Sequence, residues 1–196
     1  MTLSRRERQR EANRESILEA ALNIAEREGW AAVTIRRIAT EIDYTSPIIY
    51  QHFANKDAAL EVLLQRGYDD LCEAMARATK KSTPDERPLQ LGLAYLRFAR
   101  DNPRRYELMN GLGVTLNGEV RRTAAQGVSM LTTEVLIVWA AHRNIRLQNP
   151  DIACETAWGV IHGMASLGML EDIGFDRAER LASDAIYALL KHWETS

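Results

Sequence analysis

The sequence lacks the residue patterns that mark common catalytic and metal sites. No HExxH, GxSxG, CxxC or phosphate-loop pattern occurs among its 196 residues. Cysteine is scarce: Cys72 and Cys154 stand far apart inside helix-like patterns, which favours reduced, buried thiols over a redox or metal role. We therefore predict a protein that is not an enzyme and that needs no metal and no cofactor.

The sequence also lacks an excess of either charge. Its 25 basic and 27 acidic residues give a formal net charge of −2, so a polyanionic partner must be met by a local basic patch. The N-terminal residues contain no apolar core of the kind a signal peptide requires, and the longest uncharged run, 156–170, is too short to span a bilayer. These absences predict a cytoplasmic protein with no membrane partner.

Helical periodicity is present along the whole chain. A first helix is predicted over 14–28, and Thr34 caps a second, shorter helix. A third helix of about two turns starts at Thr45 or Ser46, and a long one starts at Lys56. Further helices are predicted over 89–100, 103–110, 119–143, 151–170 and 176–193. Because no stretch shows sustained period-two alternation, the predicted fold is all-α.

The third helix carries more large side chains than its core needs. On a helical wheel Ile49 and Phe53 fall together and can pack on the first two helices. The residues left pointing outward are Pro47, Ile48 and Gln51, with Tyr50 and His52 on the flanks. This arrangement predicts a helix-turn-helix whose second helix enters the major groove of DNA. A plain amphipathic helix between two others is the alternative.

Each outward group has a physical role in DNA binding. A glutamine can pair with a base edge, and an isoleucine or proline can touch a thymine methyl. A threonine or serine hydroxyl can donate to phosphate or base, and tyrosine and histidine side chains on the flanks can reach backbone phosphates. These roles fall to Gln51, to Pro47 and Ile48, and to Thr45, Ser46, Tyr50 and His52. Lys56 adds positive charge where the next helix begins, and the amides of that helix favour an anion.

The same residues carry a family resemblance. Thr34, Ile38-Ala39, Ile49-Tyr50, His52-Phe53, and Lys56 with Leu60 stand at the spacing that resembles the DNA-binding signature of the TetR family, over about residues 14–64. The resemblance implies a homodimeric repressor whose N-terminal three-helix domain binds a palindromic operator and whose larger helical domain binds an effector. It implies DNA contacts by Thr34, Arg36, Arg37, Thr45, Ser46, Pro47, Ile48, Tyr50, Gln51, His52 and Lys56.

The turn between the two helices departs from the family pattern. The family usually has a glycine where this chain has Asp43, and a hydrophobic residue such as valine where it has Tyr44. Aspartate tolerates a left-handed turn less well than glycine but better than most residues, so we expect the turn to survive. The tilt of the recognition helix is left open.

A basic segment, SRRERQRE, precedes the first predicted helix. It sets Arg5, Arg6, Arg8 and Arg10 against Glu7 and Glu11. Such a segment is either a solvated, partly disordered tail or an arm that lies along the phosphate backbone or in the minor groove. On the second interpretation, removing Met1 to Arg10 weakens DNA binding and flattens its salt dependence.

The predicted domains are 1–58 for DNA binding and 59–196 for effector binding and dimerisation. Trp158, His162 and Gly163 resemble the Trp-plus-His-Gly motif of the WHG type of TetR C-terminal domain. Glycines inside a helix suggest close backbone approach to a neighbour, which could be a second subunit. The resemblance implies that the last two helices form the dimer interface, for which we select Gly159, Gly163, Ser166, Leu170, Ile186 and Leu189.

The effector site is predicted from aromatic and methionine side chains of the large domain. The candidates are Tyr68, Tyr95, Phe98, Met109, Met130, Glu134, Trp158 and His162. Core packing is the alternative for each of them. Because these faces carry few charges, the implied effector is small and apolar or weakly polar. A constitutive DNA-binding dimer without an effector, a metal or redox sensor, and activation instead of repression are the alternative functions.

Overall fold

The computed structural model describes residues 4–114 and 116–195. Over these ranges it contains one short 3-10 helix, Trp30–Ala32, and ten α-helices with no strand. The α-helices are α1 (Arg5–Glu28), α2 (Ile35–Glu41), α3 (Ser46–Tyr50), α4 (Lys56–Thr79), α5 (Arg87–Asp101), α6 (Pro103–Asn110), α7 (Gly118–Ala124), α8 (Gln126–His142), α9 (Pro150–Gly168) and α10 (Gly174–Thr195). The prediction of an all-α fold is confirmed.

The chain divides into two compact units. The first contains the chain up to Gly67 together with Arg104–Arg122, and the second contains Tyr68–Pro103 and the chain from Thr123 onward. Helix α4 therefore contributes residues to both units. The predicted domain boundary between residues 58 and 59 stays a prediction.

Helix α1 begins nine residues before the predicted start, at Arg5 instead of 14. A capping box explains the early start: the Ser4 hydroxyl accepts a hydrogen bond from the Glu7 amide at 3.2 Å, and the Glu7 carboxylate accepts one from the Ser4 amide at 2.7 Å. The basic segment from Arg5 onward is thus the first part of α1. Met1, which opens the segment whose removal was considered above, lies outside the described residues.

The first unit is built around the apolar face of α1. Ile17 and Ile24 are fully buried there, and Ile38 of α2 and Ile49 of α3 are equally buried in the same unit. The indole nitrogen of Trp30 donates to the main-chain oxygen of Arg104 over 2.8 Å. This bond ties the start of the helix-turn-helix to α6.

The second unit packs α5 against α8, α9 and α10. Gly92 of α5 permits close approach, because a Cβ at that position would lie 2.5 Å from Cδ1 of Ile186 on α10. The helix predicted over 119–143 is broken into α7 and α8, which meet at an angle of 49°. No proline marks this break, which lies close to the point where the chain passes from one unit to the other.

Within the described ranges, no single helix is long and apolar enough to cross a bilayer, and only the bent pair α7 and α8 meets that test, on length and composition alone. Cys154 is buried, Cys72 is half-buried, and neither is part of a disulfide. The same ranges contain no group of three or more histidine, cysteine, aspartate or glutamate side chains placed to hold a metal ion.

Candidate nucleic-acid interface

The turn between α2 and α3 is built on the residue that departs from the family pattern. Asp43 has φ of 55°, the left-handed conformation that favours glycine. The Tyr44 amide donates to the Ala39 oxygen at 2.8 Å and the Asp43 amide to the Thr40 oxygen at 3.4 Å. These two bonds are those of a Schellman motif, in which a left-handed residue ends the helix. Aspartate therefore supports the turn, as expected from its tolerance of this conformation.

Helix α3 is short and is anchored by two apolar side chains. Ile49 is fully buried, and Phe53, which follows the helix, is 3% exposed. Thr45 caps the helix and Pro47 lies in its first turn, where the missing amide hydrogen costs nothing. The cap is made by the main chain alone, because the Thr45 side chain makes no capping hydrogen bond to any described residue.

The opposite side of α3 is open to solvent. Thr45, Pro47, Tyr50 and Gln51 are exposed, with Tyr50 at 56%. Three further candidate residues, Ser46, Ile48 and His52, are half-buried. The helical-wheel prediction holds for Pro47 and Gln51, whereas Ile48 is less exposed than an outward position implies.

The candidate residues of α2, the helix that precedes α3 in the chain, are exposed to solvent. Thr34 caps α2 by accepting a hydrogen bond from the Arg37 amide at 3.2 Å, and Arg36 is exposed. The Arg37 guanidinium forms an ion pair with Glu28 of α1. In α4, Lys56 is half-buried at the first helical position, and the Asn55 side chain accepts from the Ala58 amide at 2.8 Å.

The beginning of α1 and the end of α3 share a cleft, which was not predicted from the sequence. Its lining consists of Arg6, Glu7, Gln9, Arg10, Asn13, Gln51 and His52. Burial of the His52 ring, followed by the positive charges of Arg10 and Arg14, lowers the pKa of His52 below its ordinary value. Arg6 and Arg10 of α1 therefore line the same cleft as Gln51 and His52, two candidate DNA contacts. The SxxE capping signature at Ser4 is the signal that could have extended α1 to this point.

Two further residues of α1 contact the helix-turn-helix directly. The Tyr44 hydroxyl donates to Oδ1 of Asn13 over 3.0 Å. The Arg14 guanidinium carbon lies 4.5 Å from the centroid of the Phe53 ring, above its face. No periodic pattern predicts these contacts, since they join residues 31 and 39 positions apart in the sequence.

The second unit contains an apolar cavity with a volume of about 50 Å³. It lies among α4, α5, α8, α9 and α10, and its lining includes Met75, Gly92, Thr132, Val135, Ile161 and Trp193. The hydroxyl of Thr132 is already bonded, because it donates to the Val128 oxygen at 2.8 Å. Of the candidate effector residues, the cavity brings together Tyr95 and Trp158.

The other candidate effector residues lie away from this cavity lining. Met109 is buried in the first unit, Phe98 lines a polar cleft between α4 and α5, and Met130 is 64% exposed. Glu134 is exposed and Tyr68 is half-buried. His162 stacks on Trp158, with ring centroids 5.3 Å apart, and burial lowers the pKa of its imidazole.

The residues predicted for the dimer interface fall into two groups. A Cβ added at Gly159 or Gly163 would meet nothing within 4 Å among the described residues, and Ser166 and Leu170 are exposed. Ile186 and Leu189 line the apolar cavity of the second unit. Packing among the described residues therefore does not explain Gly159 and Gly163, whereas it does explain the positions of Ile186 and Leu189.

Comparison with known proteins places this architecture among transcriptional regulators. A family model described as bacterial regulatory proteins of the tetR family matches residues 17–58, and one described as a tetracyclin repressor-like C-terminal domain matches residues 89–189. The uncharacterized HTH-type transcriptional regulator Rv0681 of Mycobacterium tuberculosis is 26% identical over 167 residues, which cover 84% of this chain and 75% of that protein.

Solved structures show the same fold. A protein of unknown function from Rhodococcus sp. RHA1 matches with a TM-score of 0.76 at 25% identity, over 89% of this chain and 93% of its own. The TetR family transcriptional regulator PfmR from Thermus thermophilus matches with a TM-score of 0.66 at 18% identity, over 89% of this chain and 97% of its own.

Proposed function

Because the chain belongs to the TetR family of bacterial transcriptional regulators, we propose that it is a ligand-responsive repressor that binds a palindromic operator as a homodimer. The observation that carries this proposal is the two-sided character of α3. Ile49 is fully buried, while Thr45, Pro47 and Gln51 are left open to solvent next to it. Such a helix is suited to the major groove, where side chains read base edges.

The DNA contacts divide by chemistry. Gln51 and Pro47 meet base edges, and Ile48 contributes the part of its side chain that remains accessible. The contacts to phosphate come from both sides of α3, through Thr34, Arg36, Arg37, Thr45, Ser46, Tyr50, His52 and Lys56. Arg37 leaves its ion pair with Glu28 to take part, so we expect its contribution to be smaller than that of Arg36.

The beginning of α1 adds a further phosphate contact. Arg6 and Arg10 line the cleft that Gln51 and His52 also line. A phosphate in that cleft is met by two guanidinium groups and one imidazole, while the Glu7 carboxylate, which also lines the cleft, accepts a hydrogen bond from the Ser4 amide. This is the local basic patch that the near-neutral net charge requires.

Homodimerisation spaces the two recognition helices. A Cβ at Gly159 or Gly163 would meet no described residue within 4 Å, which leaves room for the close approach of a second copy of α9 and α10. Two half-sites then lie about one DNA turn, or roughly 35 Å, apart.

The effector enters the apolar cavity of the second unit. Its apolar lining selects a small, largely apolar molecule. A volume of about 50 Å³ is far below the roughly 300 Å³ of an ordinary ligand site, so the effector must push helices apart. Met75 of α4 is in the cavity wall, and the same helix begins at Lys56. A shift of α4 couples the two functions, with a coupling free energy of about 1–3 kcal/mol and a loss of operator affinity of roughly 5- to 150-fold.

A selection experiment tests operator binding. The wild-type chain, Gln51→Ala and Lys56→Ala are each used to enrich sequences from a random double-stranded DNA pool. We expect the wild type to enrich a palindrome with half-sites about one turn apart. Gln51→Ala alters preference at particular bases, and Lys56→Ala weakens binding more uniformly. No enrichment by a folded dimer at low salt would contradict the proposal.

A second experiment separates the regulated repressor from the constitutive dimer. Benzene and naphthalene serve as apolar probes of the cavity, and operator affinity is measured with and without saturating probe. A probe that binds and lowers operator affinity at least fivefold supports the regulated form. A probe that binds tightly in the cavity yet leaves operator affinity unchanged favours the constitutive dimer, because such a ligand has no differential affinity for the two states.

A further inference from the structure

The orientation of α3 needs an explanation beyond the helix itself. The helix has five residues, Ser46–Tyr50, and a helix this short has too few internal hydrogen bonds to be stable alone. Its direction therefore depends on tertiary contacts, which comprise the buried Ile49 and Phe53 side chains and the polar contacts at its two ends. Two consecutive residues of α1, Asn13 and Arg14, provide one contact at each end.

Asn13 holds the start of α3. The Tyr44 hydroxyl donates to Oδ1 of Asn13 at 3.0 Å, and Tyr44 immediately precedes the capping residue Thr45. The same oxygen accepts a second hydrogen bond, from Nε2 of Gln9 one helical turn earlier, at 2.9 Å. Because its oxygen is shared between two donors, the Asn13 amide has a defined orientation.

Arg14 holds the end of α3. Its guanidinium carbon lies 4.5 Å from the centroid of the Phe53 ring, a distance that gives a cation–π interaction. Its Nη1 atom lies 3.5 Å from the main-chain oxygen of His52. Arg14 thus contacts the two residues at which the chain leaves α3 and turns toward α4.

We propose that Asn13 and Arg14 are positioning residues, which fix the tilt of α3 and thereby the operator specificity of this protein. The inference rests on the proposed DNA-binding function. Tyr44 stands where the family usually has a hydrophobic residue, and it supplies a hydroxyl that such a residue lacks. The departure from the family pattern at Asp43-Tyr44 therefore adds a hydrogen bond from the turn to Asn13 of α1.

The physical consequence is a difference between specific and non-specific DNA binding. If α3 is aligned in only a fraction of molecules, the apparent affinity for the operator is reduced to that fraction of its full value. Non-specific binding depends on neutralised phosphates and does not require alignment. Loss of the Tyr44 hydroxyl should therefore lower operator affinity about 3- to 10-fold, the range of one hydrogen bond, and leave affinity for a scrambled duplex unchanged.

The first test uses the free protein and needs no operator. Hydrogen exchange is measured at the main-chain amides within 46–53, where every residue except Pro47 carries an amide hydrogen. The proteins compared are the wild type, Tyr44→Phe, Asn13→Ala and the double variant, with α1 as an internal reference. We expect about 3- to 10-fold faster exchange at 46–53 in each single variant and no further gain in the double variant, since both remove the same bond. Arg14→Met should speed amide exchange at Phe53. Arg5→Met, at an exposed position of the same helix, is the matched control and should leave this exchange unchanged.

The second test measures affinity for the sequence that the wild type enriches and for a scrambled duplex of the same composition. A loss confined to the enriched sequence, again non-additive, supports the positioning role. Unchanged exchange at 46–53, additive effects of the two variants, or equal losses on both duplexes would overturn it. Failure of the wild type to enrich any sequence would instead contradict the proposed function, while the exchange experiment still decides whether the two residues hold α3.

Discussion

Arg66 of α4 and Glu15 of α1 form a two-pronged ion pair, in which Nη1 of Arg66 donates to Oε2 of Glu15 and Nη2 donates to Oε1, each over 2.6 Å. The pair joins α1, whose first residues are candidate DNA contacts, to α4, the long helix that follows the helix-turn-helix. Hydrogen bonds from Arg66 are the main reason that the pKa of Glu15 lies below its ordinary value.

Glu15→Gln should lower the stability of the folded state at neutral pH. The pKa of Glu15 is depressed on folding, so its contribution is complete above the ordinary value of about 4.3 and is lost as pH falls through the folded pKa. We expect a difference from wild type of about 1 kcal/mol at pH 7, the upper range for an accessible pair. The difference should shrink as pH falls below about 4.3 and should vanish once the pH is below the depressed pKa of Glu15.

Chemical denaturation between pH 3 and pH 8 measures this difference. Glu19→Gln, at an exposed position of the same helix, is the control for removal of one negative charge. A difference between wild type and Glu15→Gln that persists unchanged at pH 3 would show that the ion pair is not its cause.

The second prediction concerns the pH dependence of DNA binding. Burial and the charges of Arg10 and Arg14 lower the pKa of His52, so its imidazole is neutral in the free protein at pH 7.5. A nearby phosphate favours the charged ring and raises its pKa, so binding takes up a proton. We expect operator affinity to rise as pH falls from 7.5 toward 5.5, and His52→Gln to flatten this rise.

Operator affinity is measured at several pH values and constant ionic strength for the wild type and for His52→Gln. The slope of affinity against pH is compared between the two proteins. His142→Gln is the matched control, because His142 lies at the end of α8 in the second unit. Equal slopes for wild type and His52→Gln would exclude a phosphate contact by the protonated His52 ring.

The third prediction concerns close packing at the cavity wall. In Gly92→Ala the new Cβ would lie 2.5 Å from Cδ1 of Ile186 and 3.4 Å from Cδ1 of Ile161. We expect a loss of about 1–3 kcal/mol in the free energy of unfolding, as for other overpacked cores. Ile186→Val removes the nearer methyl group, so Gly92→Ala with Ile186→Val should be more stable than the sum of the two single effects.

Thermal and denaturant unfolding of the four proteins tests this prediction. Strictly additive changes in the free energy of unfolding would mean that the methyl group added by Gly92→Ala and the Ile186 side chain do not compete for the same space. Gly92 would then not be the reason that α5 and α10 approach closely.

The fourth prediction concerns the candidate dimer face. Within the described residues nothing lies near a Cβ at Gly163, so a larger side chain is tolerated by the single chain. Gly163→Leu should therefore fold and gain helix propensity, yet raise the dissociation constant of the dimer at least tenfold, which corresponds to about 1.4 kcal/mol.

Sedimentation equilibrium measures this constant. Gly127→Ala is the control, because its Cβ would meet only the Cys72 sulfur at an ordinary 3.7 Å, and α8 was not selected as the interface. An unchanged dimer in Gly163→Leu would remove α9 from the interface.

Local sequence patterns predicted much of this fold. The helical spacing of apolar residues and the caps at Thr34 and Thr45 are local properties, and they predicted α2, α3 and the start of α4. The burial of Ile49 and Phe53 follows from the same spacing. Helix α1 begins before its predicted start although Ser4 and Glu7 carry a capping-box signature, because the alternatives considered for the basic segment, a tail or a DNA-binding arm, do not include a helix.

The effector candidates show where local patterns fail. Aromatic and methionine residues were selected by type, and only Tyr95 and Trp158 lie together at the cavity. Residue type does not reveal which face of a helix meets which neighbour, so Met109 and Met130, of the same type, end up buried and exposed.

Most of the helices, the family resemblance and the two-sided character of α3 follow from the amino-acid sequence alone, because they depend on the spacing of residues within one or two helical turns. Three contacts depend on the tertiary structure: Asn13 with Tyr44, Arg14 with the Phe53 ring, and Gly92 with Ile186. Each of these contacts joins residues far apart in the sequence, and their distance depends on how whole helices pack, which no local periodicity contains.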